Sequence, residues 1–226
     1  MIPTYRTTAD LPAMLPVFPL AGCILLPRTM LPLQVFEPRY LAMVDDCLRG
    51  DRLIGIIQPV GDGGTTGSPP GRGTALRNVG CAGRIRSYQE LDDGRLAIGL
   101  GGIARFRPQG EATPDQQPYR TFAVNFADFA FDLEAGDGEA SIDREGLLDV
   151  LKRFLAHRGL KGDWDAIQRS GSEQLVNGLS LASPFNSEER QALLEAPRLN
   201  DRAKLLAALA EMEIASGETG GNQRMQ

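Results

Sequence analysis

The hydrophobic pattern of this chain changes its period once, near residue 130. Before that point apolar residues come in short runs or in alternation, the period-two signature of strands. After it they recur every three or four residues, as one face of a helix does. A chain divided this way predicts an α+β fold, with strands and helices in separate layers.

Prolines shape the first part. Leu15-Pro16-Val17-Phe18-Pro19-Leu20 and Cys23-Ile24-Leu25-Leu26-Pro27 are cut by residues that cannot donate to a ladder, which predicts strands at edges or bends. A third strand is expected over 29–36. Pro38, placed for a first helical turn, and Gly50 bracket a helix whose Tyr40, Leu41, Val44, Cys47 and Leu48 share one face. Residues 52–60 read as a central strand, and 78–91 with 95–100 as a hairpin about Asp92-Asp93-Gly94. Further strands are expected over 103–107 and 119–129. In 103–107 the alternation sends apolar side chains inward and arginines outward.

The expected organisation is a β subdomain over 1–130, an acidic linker over 131–140, a helical subdomain over 141–216 and a frayed tail over 217–226. Ser141, Ser172, Ser187 and Asn200 or Asp201 are the expected helix N-caps. Residues 61–73, with six glycines and two prolines, read as a flexible loop.

Charge narrows the function. The net charge of −5 conceals 13 arginines, no lysine and 11 acids in residues 1–125, a local excess of +2. A sequence pI near 5.0 argues against general phosphate binding, so nucleic acid is an unlikely partner. No apolar stretch approaches the ~20 residues of a membrane span, and the first ten residues hold no signal-peptide core. Three cysteines without a C-x-x-C spacing fit a reducing compartment. The expected location is the cytoplasm.

No catalytic constellation emerges. Gly99-Leu100-Gly101-Gly102-Ile103-Ala104 has the spacing of a dinucleotide fingerprint, but strand and not helix follows it. The Gly-rich loop lacks the Gly-Lys-Ser/Thr ending of a phosphate-binding loop. There is no G-x-S-x-G elbow, and the single histidine, His157, sits where a helix C-terminus favours positive charge. The reading is therefore non-enzymatic, with no catalytic, cofactor-binding or metal-ligating residues.

A wider pattern joins the two halves. Leu15-Pro16-Val17-Phe18-Pro19-Leu20, Leu26-Pro27 and Leu31-Pro32-Leu33-Gln34-Val35-Phe36-Glu37-Pro38-Arg39-Tyr40 open it. Gly83-Arg84-Ile85, Asp93-Gly94-Arg95-Leu96 and Gly102-Ile103-Ala104-Arg105-Phe106 continue it, and Glu189-Arg190-Gln191-Ala192-Leu193-Leu194-Glu195-Ala196 closes it. This set resembles the LON substrate-binding domain family, the N-terminal domains of Lon proteases. The resemblance implies a PUA-like β pseudo-barrel with one inserted helix, followed by a helical bundle. It implies a stand-alone domain without the ATPase and peptidase parts. Its expected partners are unfolded or partly folded polypeptides, a protease, or further copies of itself as a homo-oligomer.

Two candidate surfaces follow. Phe36, Arg39 and Tyr40, at the junction of the third strand and the inserted helix, would hold a polypeptide, Tyr40 as anchor and Arg39 as planar donor fork. Arg84, Arg86, Arg105 and Arg107 would form a positive face. The alternative reading makes this an RNA-binding PUA-like domain using the arginine-rich strands 77–107.

Overall fold

A computed structural model describes residues 5–61, 73–160 and 162–221. The chain divides into two compact units, Met1–Ala135 with Phe185–Leu194, and Gly136–Pro184 with Glu195–Gln226. The fold is α+β. No helix among the described residues is long and apolar enough to cross a membrane.

The first unit is built on six strands: β1 (Met14–Pro19), β2 (Met30–Val35), β3 (Leu53–Pro59), β4 (Leu76–Glu90), β5 (Leu96–Glu111) and β6 (Arg120–Asn125). They form one mixed sheet in the order β2-β5-β4-β3-β1-β6, and β6 pairs a second time, with the far end of β5. The circuit β5-β4-β3-β1-β6 therefore closes on itself and leaves β2 outside it. That is a pseudo-barrel, in which all strands but β2 have had their edges covered. β1 and β3 are parallel, so the chain between them must cross over. It does so through β2 and the inserted helix α1 (Pro38–Arg49).

Size complementarity fills the interior. The Phe106 ring is fully buried, and a Cβ on Gly55 or Gly80 would lie only 2.9 Å or 2.7 Å from its Cζ. Two neighbouring strands thus give up side chains to admit one ring, and Leu15, Val17, Ile57, Ala104 and Phe122 pack around it. Helix α1 buries Tyr40, Met43, Val44 and Cys47 and stops at Gly50, whose N–H bonds to Cys47 O.

Two strand expectations need correction. Residues 23–27 are a buried loop, with Ile24, Leu25 and Leu26 at most 1% exposed. Apolar content alone suggested a strand, but the backbone crosses β5 instead of running along it. Gly102 is the crossing point, where a Cβ would collide with the Leu26 carbonyl. Residues 95–100 and 103–107 are parts of the single strand β5. The β4–β5 register slips twice along the glycine-rich stretch, with Ile103 of β5 as the extra residue opposite Ala82 and Gly83, and Arg86 of β4 as the extra residue between Ile85 and Ser87.

Helix α5 (Ser187–Glu195) belongs with this unit, although helices of the other unit flank it in sequence. A buried polar chain docks it: Gln58 donates to Ser187 O and Gln191 Oε1, both at 3.0 Å, and Gln191 donates to Val79 O at 3.1 Å. Its cap is Asn186, not Ser187. The Asn186 side chain accepts from Glu188 N and Glu189 N, and Glu189 returns a bond to Asn186 N, a complete capping box.

The second unit contains α2 (Arg144–His157), α3 (Trp164–Arg169), α4 (Ser172–Ala182) and α6 (Leu199–Gly221). Helix α2 is capped by Asp143, which accepts from Gly146 N, and Ser141 lies in a 3₁₀ turn before it. Leu147, Leu151 and Phe154 are buried, as are Leu175, Val176, Leu206 and Ala210 on its neighbours. The buried Arg202 at this level donates to Asn177 Oδ1 at 2.7 Å. Apart from its two ends, the loop expected over 61–73 lies outside the described residues. Helix α6 extends past the expected start of the frayed tail at 217, and residues 222–226 lie outside the description.

Candidate functional site

The junction of β2 and α1 separates the three candidate residues from one another. Phe36 is 62% exposed. Tyr40, the expected anchor, is instead a core residue at 3% exposure, with its ring 4.0 Å from that of Phe18. Burial pushes its hydroxyl up to about 12. Arg39 folds back on its own helix start, pairing with Glu37 Oε2 at 3.0 Å and lying 4.6 Å over the Tyr40 ring. Tyr40 is thus corrected from binding anchor to packing residue, because α1 presents it inward at the first turn. Phe36 alone of the three offers free apolar surface.

The arginines are largely spoken for. Arg84 donates to Tyr5 Oη and Asp51 O, Arg95 pairs with Asp93, Arg107 with Asp128 and Arg77 with Glu188. Arg105 corrects the sequence expectation most sharply. It is 1% exposed, its Nε lies 2.8 Å from Asp132 Oδ2 and its Nη2 2.9 Å from Asp132 Oδ1. It also donates to Leu194 O and sits 4.4 Å over the Phe129 ring. Alternation predicted an outward side chain, but the outer face of β5 here is itself covered by α5 and the 3₁₀ segment Ala127–Leu133. There is consequently no continuous positive face made of Arg84, Arg86, Arg105 and Arg107. Of these four only Arg86 is exposed and has no carboxylate partner among the described residues.

The open surface lies at the other end of β5. Gly102 N–H donates to Thr29 O, so Leu31, Leu33 and Val35 turn their backbone groups toward β5. Those of Met30, Pro32 and Gln34 therefore point to the unpaired edge of the sheet. Pro32 occupies a site where its missing N–H costs no ladder bond, which also removes one donor from the free edge. On the adjoining face Met30, Pro32 and Gln34 stand opposite Gly101, Gly99 and Ala97.

A trough of about 750 Å³ runs along this strip, lined by Met30, Pro32, Gln34, Tyr88, Ile98 and Gly99 among others. Glycine makes it: a Cβ at Gly99 would stand 3.2 Å from Met30 Cε and 2.6 Å from Ser87 Oγ. Met30 is 54% exposed and stands beside Pro32 in the trough, whereas Tyr88 pairs with Ile98 and turns its side chain to the opposite face of the sheet. Sequence reasoning missed this strip, although Pro32 between two outward-facing positions of an edge strand carried the signal.

Comparison with known proteins decides the family. The model for the ATP-dependent protease La (LON) substrate-binding domain matches residues 14–211, most of the chain and parts of both units. This chain belongs to the LON substrate-binding domain family. It is 30% identical to Lon protease of Desulfosudis oleivorans over 125 residues, which cover 54% of this chain and 15% of that protein. It is 24% identical to Lon protease 2 of Thermus thermophilus, over 92% of this chain and 25% of the relative. The chain thus spans about a quarter or less of the length of these relatives. Among solved structures, a Lon N-terminal domain protein from Xanthomonas campestris matches with a TM-score of 0.61 at 26% identity, covering 86% of this chain and 97% of that one. The N-terminal domain of Mycobacterium avium complex Lon protease matches with a TM-score of 0.64 at 18% identity, covering 88% and 98%, and shares the fold.

Within this LON domain the thiols are placed for packing. Burial pushes Cys47 up to about 12, with Asp46 and Asp51 adding to the effect, and its Sγ rests 3.4 Å from Leu53 O. Burial likewise raises Cys23 to about 11. Thiols shifted in this direction are poor nucleophiles at neutral pH.

Proposed function

We propose that this LON domain is a non-catalytic polypeptide-recognition module. It holds extended apolar segments of unfolded or partly folded proteins along β2 and, as an adaptor in the cytoplasm, delivers them for proteolysis. The observation that carries the reading is the open trough beside the unpaired edge of β2. Met30 and Gln34 offer backbone groups to an added strand, and Pro32 offers only its carbonyl. Strand addition is therefore interrupted, and affinity rests more on side chains laid in the trough. Met30 suits varied occupants, since its unbranched thioether adapts to different shapes. The family's description as a substrate-binding domain agrees with this use.

The arginines of residues 77–107 lend no support to an RNA-binding reading, because most are paired with acids or carbonyls. The test is a fluorescence anisotropy titration of a labelled unfolded polypeptide at low and moderate salt. Binding that persists as salt rises, and weakens about tenfold in Met30→Ser, is expected; tenfold corresponds to about 1.4 kcal/mol. Binding that collapses with salt, or ignores the substitution, refutes the trough as the site. The same titration followed by sedimentation tests for a second copy of the domain occupying the trough.

A further inference from the structure

Arg86 is placed where the trough ends. Its Nε and Cγ would stand 2.9 Å and 3.0 Å from a Cβ on Gly101, so the side chain lies flat across that glycine. Met30 reaches the same spot from the neighbouring strand, its Sδ 3.5 Å from that position. Beyond them opens a second hollow of about 460 Å³, lined by Arg28, Arg86, Met30, Gly101, Leu133 and Tyr5 among others. Among the described residues no acidic side chain lines it. The nearby Asp132 carboxylate is turned inward onto Arg105, and Arg28 is held at the rim by a bond to Asp132 O. Two arginines therefore face an open hollow that adjoins an apolar trough, on a domain whose net charge is negative.

We propose that this hollow reads a carboxylate: an internal Asp or Glu of the bound polypeptide docks against Arg86, with Arg28 beside it, while the adjacent apolar residues fill the trough along Met30, Pro32 and Gly99. The inference rests on the polypeptide-recognition reading and sharpens it to segments in which an acidic residue flanks an apolar run. A guanidinium is suited to this because its planar fork takes both carboxylate oxygens. Desolvation by the surrounding Met30, Tyr5 and Leu133 strengthens the pair relative to one in bulk water.

The test uses labelled peptides of identical apolar sequence with amidated C-termini, differing in one residue: Glu, Gln or Lys. The Glu peptide is expected to bind about tenfold more tightly than the Gln peptide, with an advantage that shrinks as salt rises. Arg86→Gln is expected to erase the advantage and leave the Gln peptide's affinity unchanged, and Arg86→Glu to transfer the preference to the Lys peptide. Arg86 is exposed, so circular dichroism and Tm should match the parent. Equal binding of Glu and Gln peptides by the parent domain overturns the carboxylate site but leaves the recognition reading standing. Binding of no peptide overturns both. A Gln peptide with a free C-terminus that alone gains the Arg86-dependent advantage overturns the internal acid in favour of a chain end. Tighter Arg86-dependent binding of single-stranded RNA overturns it in favour of phosphate.

Discussion

The two ends of β5 are treated differently by the rest of the fold. Its far half is paired by β4 up to Phe106 and by β6 from Arg107, and at Arg105 and Phe106 it is covered on both faces, with Phe106 inside the barrel and Arg105 locked against Asp132 outside. Its near end is paired on both sides, by β4 and β2, and buries Ile98 and Leu100 on one face. The other face carries Gly99 and Gly101 and stays open. Closure consumes edges and charges together. The surface left for a partner is the part that closure does not reach, and it is there that Arg86 stands with no acid beside it among the described residues.

The largest expected effect breaks the closed end. Asp132→Ala leaves the Arg105 guanidinium buried without its carboxylate, which costs about 3–5 kcal/mol, a large share of the ~5–15 kcal/mol that a domain has. Urea denaturation of the intact chain should show this as a lower midpoint. Replacing both partners by apolar residues of similar volume should recover much of the loss. A single variant within about 1 kcal/mol of the parent would mean that solvent reaches Arg105, contrary to its burial.

Next comes the barrel interior. Gly80→Ala places a methyl 2.7 Å from both Phe106 Cζ and the Ile56 carbonyl, and neither can yield without moving a strand. Overpacking of this kind costs about 1–3 kcal/mol. Gly110→Ala, on the same long strand β5 that carries Phe106, meets nothing within 4 Å and should be neutral or mildly stabilising. Thermal melts of the pair separate steric need from general intolerance of strand substitution.

The sequence made the layers legible because periodicity survives any packing arrangement: β3, α1 and the helices after residue 140 follow it closely, whereas the strand expected over 119–129 ends at Asn125 and gives way to the 3₁₀ segment Ala127–Leu133. It misread what depends on a third element arriving from far away. Arg105 looked outward because alternation assumes one solvated face, and nothing local announces that α5, some 80 residues later, lies nearby. Tyr40 and Phe36 both suit an anchor by residue type, yet the spacing of Tyr40 with Val44 and Cys47 puts it on the apolar face of α1, and the helix buries that face. Residues 23–27 looked like a strand because composition cannot show that Leu26 crosses Gly102. The open strip was the hardest to see, since its defining feature is two glycines that make space.

At the open end the expectation is a separation of effects. Met30→Ser removes an exposed apolar group, so stability should change by no more than about 0.5 kcal/mol while polypeptide affinity falls about tenfold. Parallel losses in stability and affinity would place this side chain in the core and dissolve the contrast between the two ends.

The smallest effect concerns the pair Phe36 and Tyr40, four residues apart on opposite sides of that contrast. Burial raises the Tyr40 hydroxyl to about 12 from an ordinary value near 10, so the folded state resists its ionisation. A group raised on folding contributes stability that is intact below its unfolded value and is lost as pH climbs toward the folded one. Tyr40 should therefore cost stability between about pH 10 and pH 12. Cys47, raised to about 12, adds a loss beginning nearer pH 9, and the raised Tyr119 acts in the same direction. Tyr40→Phe cannot ionise. Its Tm should match the parent at pH 7 and fall less steeply above pH 10, whereas Phe36→Ser, on the solvent side, should leave the alkaline slope unchanged. If Tyr40→Phe instead follows the parent curve through pH 11, ionisation at this position is not resisted by burial, and Tyr40 returns to the exposed side of the comparison.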